Sequence, residues 1–488
     1  MIRRNTWLHL HRGEVYMALV VFMMLGLACS KILLSLCLLT YAFFFLLFGD
    51  YKEFVNRFKE NRVWLGLLLF FLFLHVLSCL WSTDLSAAWN GIRVRLSAVA
   101  IPLLITTTLP WKKQHLITLF KGFLMLLTLL MTLNIIRFIY LIDQQEMHDI
   151  RQLSWFGSHI RFGILVSLAI GISWYLFSKR HLHPFWALSF IALATAYTVY
   201  SQTFSAILSL GVVVVYILMD LCKNFAWKWM LILGCASAGI LIAVGIVYDF
   251  QTPAPPCGSF PNVESAARAW QNKSKLNWFG KDGKGQILQR TCERYLCSKG
   301  KALKPVEIER LSSRETKDIE LGFTDIHSAN GNIIGRYNEL KFQFQHPTNP
   351  NGHTLLQRLI YWKSGFQIIK DNVLFGVGIG DLESSLKEVY KQTILKKEYQ
   401  KRPHNMFLTT WMACGILGVL SLVLCLIHFV YLGVYEKSYL SVIFALILVV
   451  TMMLEDSLET QVGSAFFGLF AALFCGKEAM QLWSNKNY

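Results

Sequence analysis

Runs of apolar residues about 17 to 25 long recur along the chain, each able to cross a bilayer core of roughly 30 Å at about 1.5 Å per helical residue. Twelve can be drawn, over 15–29, 32–48, 63–81, 94–109, 115–141, 162–178, 185–200, 204–222, 228–248, 404–434, 438–454 and 461–483. A β-barrel would instead show short segments of alternating polarity, and none are present. With 54% hydrophobic and 16% charged residues, 488 residues are too apolar for an ordinary soluble protein. The chain therefore reads as an all-α polytopic membrane protein of about 12 transmembrane helices. The first run follows Arg3, Arg4 and Arg12 as a signal peptide would, but no small-residue cleavage site precedes the next run, so it is read as retained.

The basic residues of the short loops give an orientation. Sixteen lysines and arginines fall on the side of the amino terminus and only five, Lys31, Arg93, Arg95, Arg151 and Arg161, on the other. Both termini are then expected in the cytoplasm. Residues 1–248 supply helices 1 to 9, 249–403 form a large, mainly helical external loop domain, and 404–488 supply helices 10 to 12. In the loop, runs at 263–273, 285–299, 305–321, 333–345 and 354–370 carry proline and glycine at helical starts and stops. The formal charge of +17 is mostly this orientation signal, and the loop itself holds 24 basic against 16 acidic residues. That excess beside a membrane suits an anionic lipid-linked partner. No basic run interleaved with aromatics points to nucleic acid. Of eleven cysteines only Cys257, Cys292 and Cys297 lie in the loop, where one disulfide is open but its pairing is not readable.

The candidate chemistry gathers between residues 353 and 418. Leu355, Leu359, Trp362, Phe366 and Ile369 recur at helical spacing as one apolar stripe, docked on the membrane surface or a neighbouring helix, with Arg358 at its border. Gly376, Gly378 and Gly380 form a turn that either packs or offers N–H groups to phosphate, and Asp381 fits as N-cap of the next helix. His404-Asn405 then stands at the lip of a membrane helix. An imidazole, with an unperturbed pKa of about 6.5, suits a proton acceptor near neutral pH, although a histidine there can also merely cap. Arg93, Arg95 and Arg161 read as either anchors snorkelling to lipid phosphate or contacts to an anionic substrate. Glu455, Asp456 and Glu459 either orient the imidazole, bind hydroxyls or form a solvated turn.

Several of these stretches resemble a known family. Arg358 with Trp362, the turn Leu374-Phe-Gly-Val-Gly-Ile-Gly380, and Pro403-His-Asn-Met-Phe-Leu408 leading to Gly415-Ile-Leu-Gly418 resemble the signature of the O-antigen ligase and O-antigen polymerase superfamily. Arg294–Gly300 and Gly352–Arg358 resemble its ligase-type members. The resemblance implies transfer of O-antigen from undecaprenyl diphosphate to lipid A-core at the periplasmic face of a bacterial inner membrane, with inversion at the sugar and no metal or other cofactor. It implies His404 as catalytic base and Arg358, Arg161, Arg336 and Asn405 as diphosphate or substrate contacts. The residues agree in lacking an Asp-x-Asp motif, a P-loop or histidines paired at zinc spacing. Many ligases carry an arginine beside a serine in the turn at 200–203. Gln202 stands there in this chain, so Arg161, Arg336, Arg93 or Arg95 must replace it. The rival readings are O-antigen polymerase or protein O-oligosaccharyltransferase with the same donor, and, from another class, a secondary transporter, which would need two related halves.

Overall fold

The structure, a computed structural model, describes residues 11–108, 111–144, 150–222, 225–252, 258–329, 333–345, 350–351 and 353–483. The chain opens with α1 (Arg12–Cys29) and α2 (Lys31–Phe48), joined by Ser30, whose hydroxyl accepts the Leu33 N–H at 3.4 Å. A short amphipathic α3 (Tyr51–Glu60) leads to α4 (Arg62–Leu77), a 3-10 turn over Ser78–Trp81, and α5 (Leu85–Thr108). Then follow α6 (Lys113–Asp143), α7 (His159–Ser178), α8 (Pro184–Tyr200), α9 (Phe204–Leu221) and α10 (Phe225–Gln251).

The long connection is helical: α11 (Val263–Gln271), α12 (Leu288–Ser298), α13 (Pro305–Glu309), α14 (Ser313–Glu320), α15 (Ile326–Ala329), α16 (Ile333–Gln345), α17 (Thr354–Asp371) and α18 (Leu382–Tyr390). Among the described residues it holds no strand beyond one isolated bridge, Lys281 to Ile287. The expected single helix over 305–321 divides, because Ser312 and Glu315 form a reciprocal capping box that starts α14 afresh. The chain ends with α19 (Met406–Tyr435), α20 (Tyr439–Leu454), α21 (Gln461–Cys475) and α22 (Lys477–Trp483).

Among the described residues nine helices are long and apolar enough to cross a membrane, ten if α21 and α22, bent by 63°, make one span; α8 and α20 are shorter apolar helices. The protein is a multi-pass membrane protein built from helices. Alternate helix ends meet the loop region: Asp249 accepts from Tyr337 at 2.6 Å, Thr83 N–H donates to Asp381 at 2.8 Å, and Arg358 reaches Leu454 O at 2.7 Å. At the opposite ends Arg57 pairs with Glu478 at 2.9 Å and Lys477 N–H bonds Asn61 at 2.8 Å.

One apolar core fills the bundle. A second, built on Phe260, Trp270, Trp278, Cys292, Tyr295 and Ile319, belongs to the loop alone. A third joins α17 and α18 to the membrane helices through Tyr361, Ile368, Leu382 and Tyr390 against Leu74, Leu408 and Met412. The stripe expected on α17 is packed in part: Ile369 is buried in this third core and Trp362 packs against it. Leu359 and Phe366 are both 55% exposed, while Tyr361, Gly365 and Ile368 face α19, where Gly365 stands over Met412 and Pro403. Both faces of this helix carry apolar residues, so periodicity alone does not choose between them.

Two expectations about the membrane helices change. The helix expected from 94 begins at Leu85, because the Asp84 carboxylate accepts the Ala87 N–H at 2.8 Å and caps it. Arg93 and Arg95 thus stand on a helix and not in a loop. The uninterrupted helix expected from 404 is broken at Gly415, whose φ of 67° is left-handed. There the glycine turn enters the break. Val377 N–H donates to Met412 O (2.7 Å), Gly378 N–H to Ala413 O (3.2 Å), and Ile416 N–H to Val373 O (3.0 Å). Ile379 and Gly380 N–H groups go to Ser78 and Ser82 hydroxyls. The turn's donors are consumed by packing, which answers the question left open between packing and phosphate. A Cβ at Gly415 would strike the Leu374 carbonyl, whereas one at Gly122 meets nothing within 4 Å. Gly415→Ala should therefore destabilise the detergent-solubilised protein by on the order of 2 kcal/mol or more, and Gly122→Ala should not, in a comparison of thermal unfolding.

Candidate active site

The entry to α19 is held by the turn that follows its neighbour α20. His404 has a positive φ of 51°, a conformation costing a non-glycine residue roughly 1–3 kcal/mol unless its surroundings impose it. Here Asp456, in the turn after α20, does so. Its carboxylate accepts the His404 N–H at 2.9 Å, the Asn405 N–H at 3.1 Å and the Thr409 hydroxyl at 2.6 Å. Asn405 caps the helix by accepting the Leu408 N–H at 3.1 Å. Trp362 fixes the preceding residue, its indole N–H donating to Pro403 O at 3.0 Å. Arg358 and Trp362 lie one turn apart on α17, so the same helix that carries the cation also positions the turn.

Glu455 joins the two expected partners. One carboxylate oxygen lies 3.0 Å from Arg358 Nη2 and the other 3.6 Å from His404 Nδ1. The Ser205 hydroxyl reaches it at 3.5 Å from the start of α9. Burial pushes this carboxyl up, but His404 and Arg358 beside it outweigh that and hold it below its ordinary value. A second ionic chain runs parallel. Glu459 binds the fully buried Arg95 and also Arg402, whose other nitrogen meets Glu383 at 3.1 Å. Of the loop acids left open between orienting, hydroxyl-binding and solvated roles, all three have fixed protein partners.

Two cavities meet here. One, about 390 Å³, is mainly apolar and lies between the α1–α2 tips, Trp155–Leu165 and the adjoining ends of α20 and α21; Lys31 and Arg161 line it. The other, about 470 Å³, is lined by His404, Lys387, Tyr390, Lys401, Arg402 and Glu459. Arg161, Glu455 and Asp456 line both.

The expected site residues divide accordingly. His404, Arg161, Arg358 and Asn405 come together, with Arg358 turned to Glu455 and Leu454 O and lining neither cavity. Arg336 stands aside on α16, bonded to Glu339 at 2.7 Å and to Thr354 at 3.3 Å. Arg93 is exposed on α5, Arg95 is committed to Glu459, and Gln202 sits in the turn before α9 with φ 51°. Arg161 is thus the one of the four candidate replacements that lines the cavities. Asp381 occupies the N-cap position of α18 but makes no cap bond; its carboxylate instead accepts Thr83 and Asp84 N–H groups and ties α5 to the loop. Cys297 is disulfide-bonded and Cys292 is a buried free thiol, while Cys257 lies outside the described residues. The cavity residues Lys31, Lys387, Lys401, Arg402 and Tyr390 carried no sequence signal beyond residue type, since three separate segments supply them.

Fold and site define a multi-pass membrane protein whose proton-accepting and cationic groups collect at one end of the helix bundle. The family model described as O-antigen ligase matches residues 188–423, which include Arg358, the glycine turn and His404 but neither Arg161 nor the 455–459 carboxylates. No curated protein matches the chain. The family match is consistent with the O-antigen ligase and polymerase superfamily, whose members are glycosyltransferase-like enzymes of O-antigen pathways.

Because the Glu455 carboxyl sits low in the fold, the stability it contributes is present above the unfolded glutamate pKa, about 4.3, and is lost as pH falls through the folded value. Glu455→Gln should lower the thermal midpoint at pH 7, and the gap from the unaltered protein should close on acidification below about pH 4.3.

Proposed function

We propose that the chain is an O-antigen ligase that moves polysaccharide from undecaprenyl diphosphate to lipid A-core. The observation that carries this reading is the junction at Arg161, where an apolar cavity meets a polar one lined by His404. In this reading the polyprenyl tail occupies the apolar cavity, the diphosphate lies against Arg161 and Lys31, and the first sugar projects towards His404. The acceptor hydroxyl attacks the anomeric carbon from the face opposite the diphosphate. The new glycosidic bond forms as the bond from that carbon to the phosphate oxygen breaks, with inversion. The hydroxyl proton passes to His404, and the electron pair leaves on a diphosphate that is already a stable anion. With Nδ1 turned to Glu455, Nε2 is the nitrogen left to take that proton, and the carboxylate stabilises the resulting imidazolium. Arg358, first expected on the phosphate, here keeps Glu455 ionised and in place. Arg336 has its contacts away from the cavities, so a direct phosphate role is assigned to Arg161 before it. No metal enters this mechanism. The reading also puts 249–403 in the periplasm as a separate domain between the two membrane segments, both termini in the cytoplasm and the chain in a bacterial inner membrane, as the loop charges suggest.

In proteoliposomes, His404→Ala should lower kcat by about 100-fold or more at unchanged protein yield. Arg161→Ala should raise KM for the lipid-linked donor by roughly tenfold or more, the loss of one charge-assisted contact, with partial rescue by Arg161→Lys. Normal transfer by the His404 variant would sink the mechanism. A glycan profile of a deletion strain separates the readings. Loss of all long chains from lipid A-core with polymerised donor accumulating supports the ligase, whereas accumulation of single repeat units means polymerase.

A further inference from the structure

Resting on that transfer reading, we propose that the polar cavity takes an acceptor glycan bearing phosphate groups near the hydroxyl that is glycosylated, and that Lys387 and Lys401 grip those phosphates. The charges around the cavity sort by partner. Glu455 is held by Arg358 and His404, Asp456 by main-chain N–H groups, and Glu459 and Glu383 by Arg402. Lys387 and Lys401 have no carboxylate partner among the described residues, though both line the same cavity as His404. The lining carries four basic and four acidic side chains, but each acid is engaged, which leaves Lys387 and Lys401 as cations without an acidic partner inside a concavity, where the field is stronger than on an open face.

The main-chain segments that carry the two lysines are also fixed in relation to each other. Lys387 stands on α18, and the segment carrying Lys401 is tied to that helix by Tyr390, 1% exposed, whose hydroxyl donates to Lys401 O at 2.6 Å. Arg402 repeats the tie through Glu383 at 3.1 Å. Both side chains are exposed, so the anchored main chain sets where their ammonium groups can reach.

The geometry separates the acceptor from the donor as the source of the anion. The donor's diphosphate has Arg161 and Lys31 where the apolar cavity opens, and neither Lys387 nor Lys401 lines that cavity. A lysine ammonium is a compact charge without the guanidinium's planar fork, and so suits phosphates met in several orientations along a saccharide.

The test uses purified protein in zwitterionic proteoliposomes, one lipid-linked donor, and a core acceptor either phosphorylated or phosphatase-treated. The Lys387→Gln/Lys401→Gln double variant should raise KM for the phosphorylated acceptor by about fivefold, from two partly screened charge contacts. Arginine at both positions should restore it. On the phosphatase-treated acceptor the variant and unaltered protein should converge, and the KM for donor should stay the same. An equal change on both acceptors, or a change confined to the donor KM, overturns the proposal. Failure of the unaltered protein to transfer to either acceptor overturns instead the transfer reading on which it rests.

Discussion

Two adjacent carboxylates after α20, Glu455 and Asp456, bear the whole arrangement at the end of the bundle. Asp456 turns to the main chain and fixes the His404 backbone in a conformation that a histidine would not hold alone. Glu455 turns to side chains and sets Arg358 and His404 on its two oxygens. An ionised acid in this setting is costly unless its oxygens are satisfied. Each acid here has at least two partners, drawn from α17, α9 or the start of α19. Consequently the imidazole, the arginine and three helix ends are positioned by one two-residue turn.

That turn holds its place because α19 is not a plain rod. The break at Gly415 frees carbonyls of Met412 and Ala413, and the glycine turn supplies the N–H groups that satisfy them. The turn is in turn stitched to Ser78, Ser82 and, through Asp381, to the start of α5. The loop region is therefore hydrogen-bonded into the membrane helices, and α17, which carries Arg358, is tied to the helix that follows His404.

Much of this was legible in the sequence, and the misses have physical reasons. Hydropathy located every long apolar helix because a bilayer imposes length and polarity directly. It misplaced the start of α5 because Ser86, Asn90, Arg93 and Arg95 are polar residues inside a helix end, although Asp84 signalled the cap. Family motifs marked His404 and Arg358. They did not say that Arg358 would face Glu455, since the motif contains one partner and the other lies 97 residues further on. Periodicity on α17 marked Trp362 and Ile369, which pack, together with Leu359 and Phe366, which face outward, because it counts apolar residues and is blind to which side has a neighbour. The cavities were the least legible, because Lys31, Arg161 and Lys401 meet only through folding.

The site also divides its labour along the chain. His404, Glu455, Asp456 and Arg161 are rooted at the ends of membrane helices; the first three are bound to one another or to main chain, and Arg161 lines both cavities beside Glu455. The residues on the opposite wall, from α18 to Arg402, belong to a segment that leaves and re-enters the bundle, and its lysines contribute charge without contacting His404. A change on that wall alters the lining of the cavity opposite His404, while His404 and Arg161 stay where the bundle puts them. The helix ends and the wall from α18 to Arg402 are thus two separately anchored sides of the same cavity.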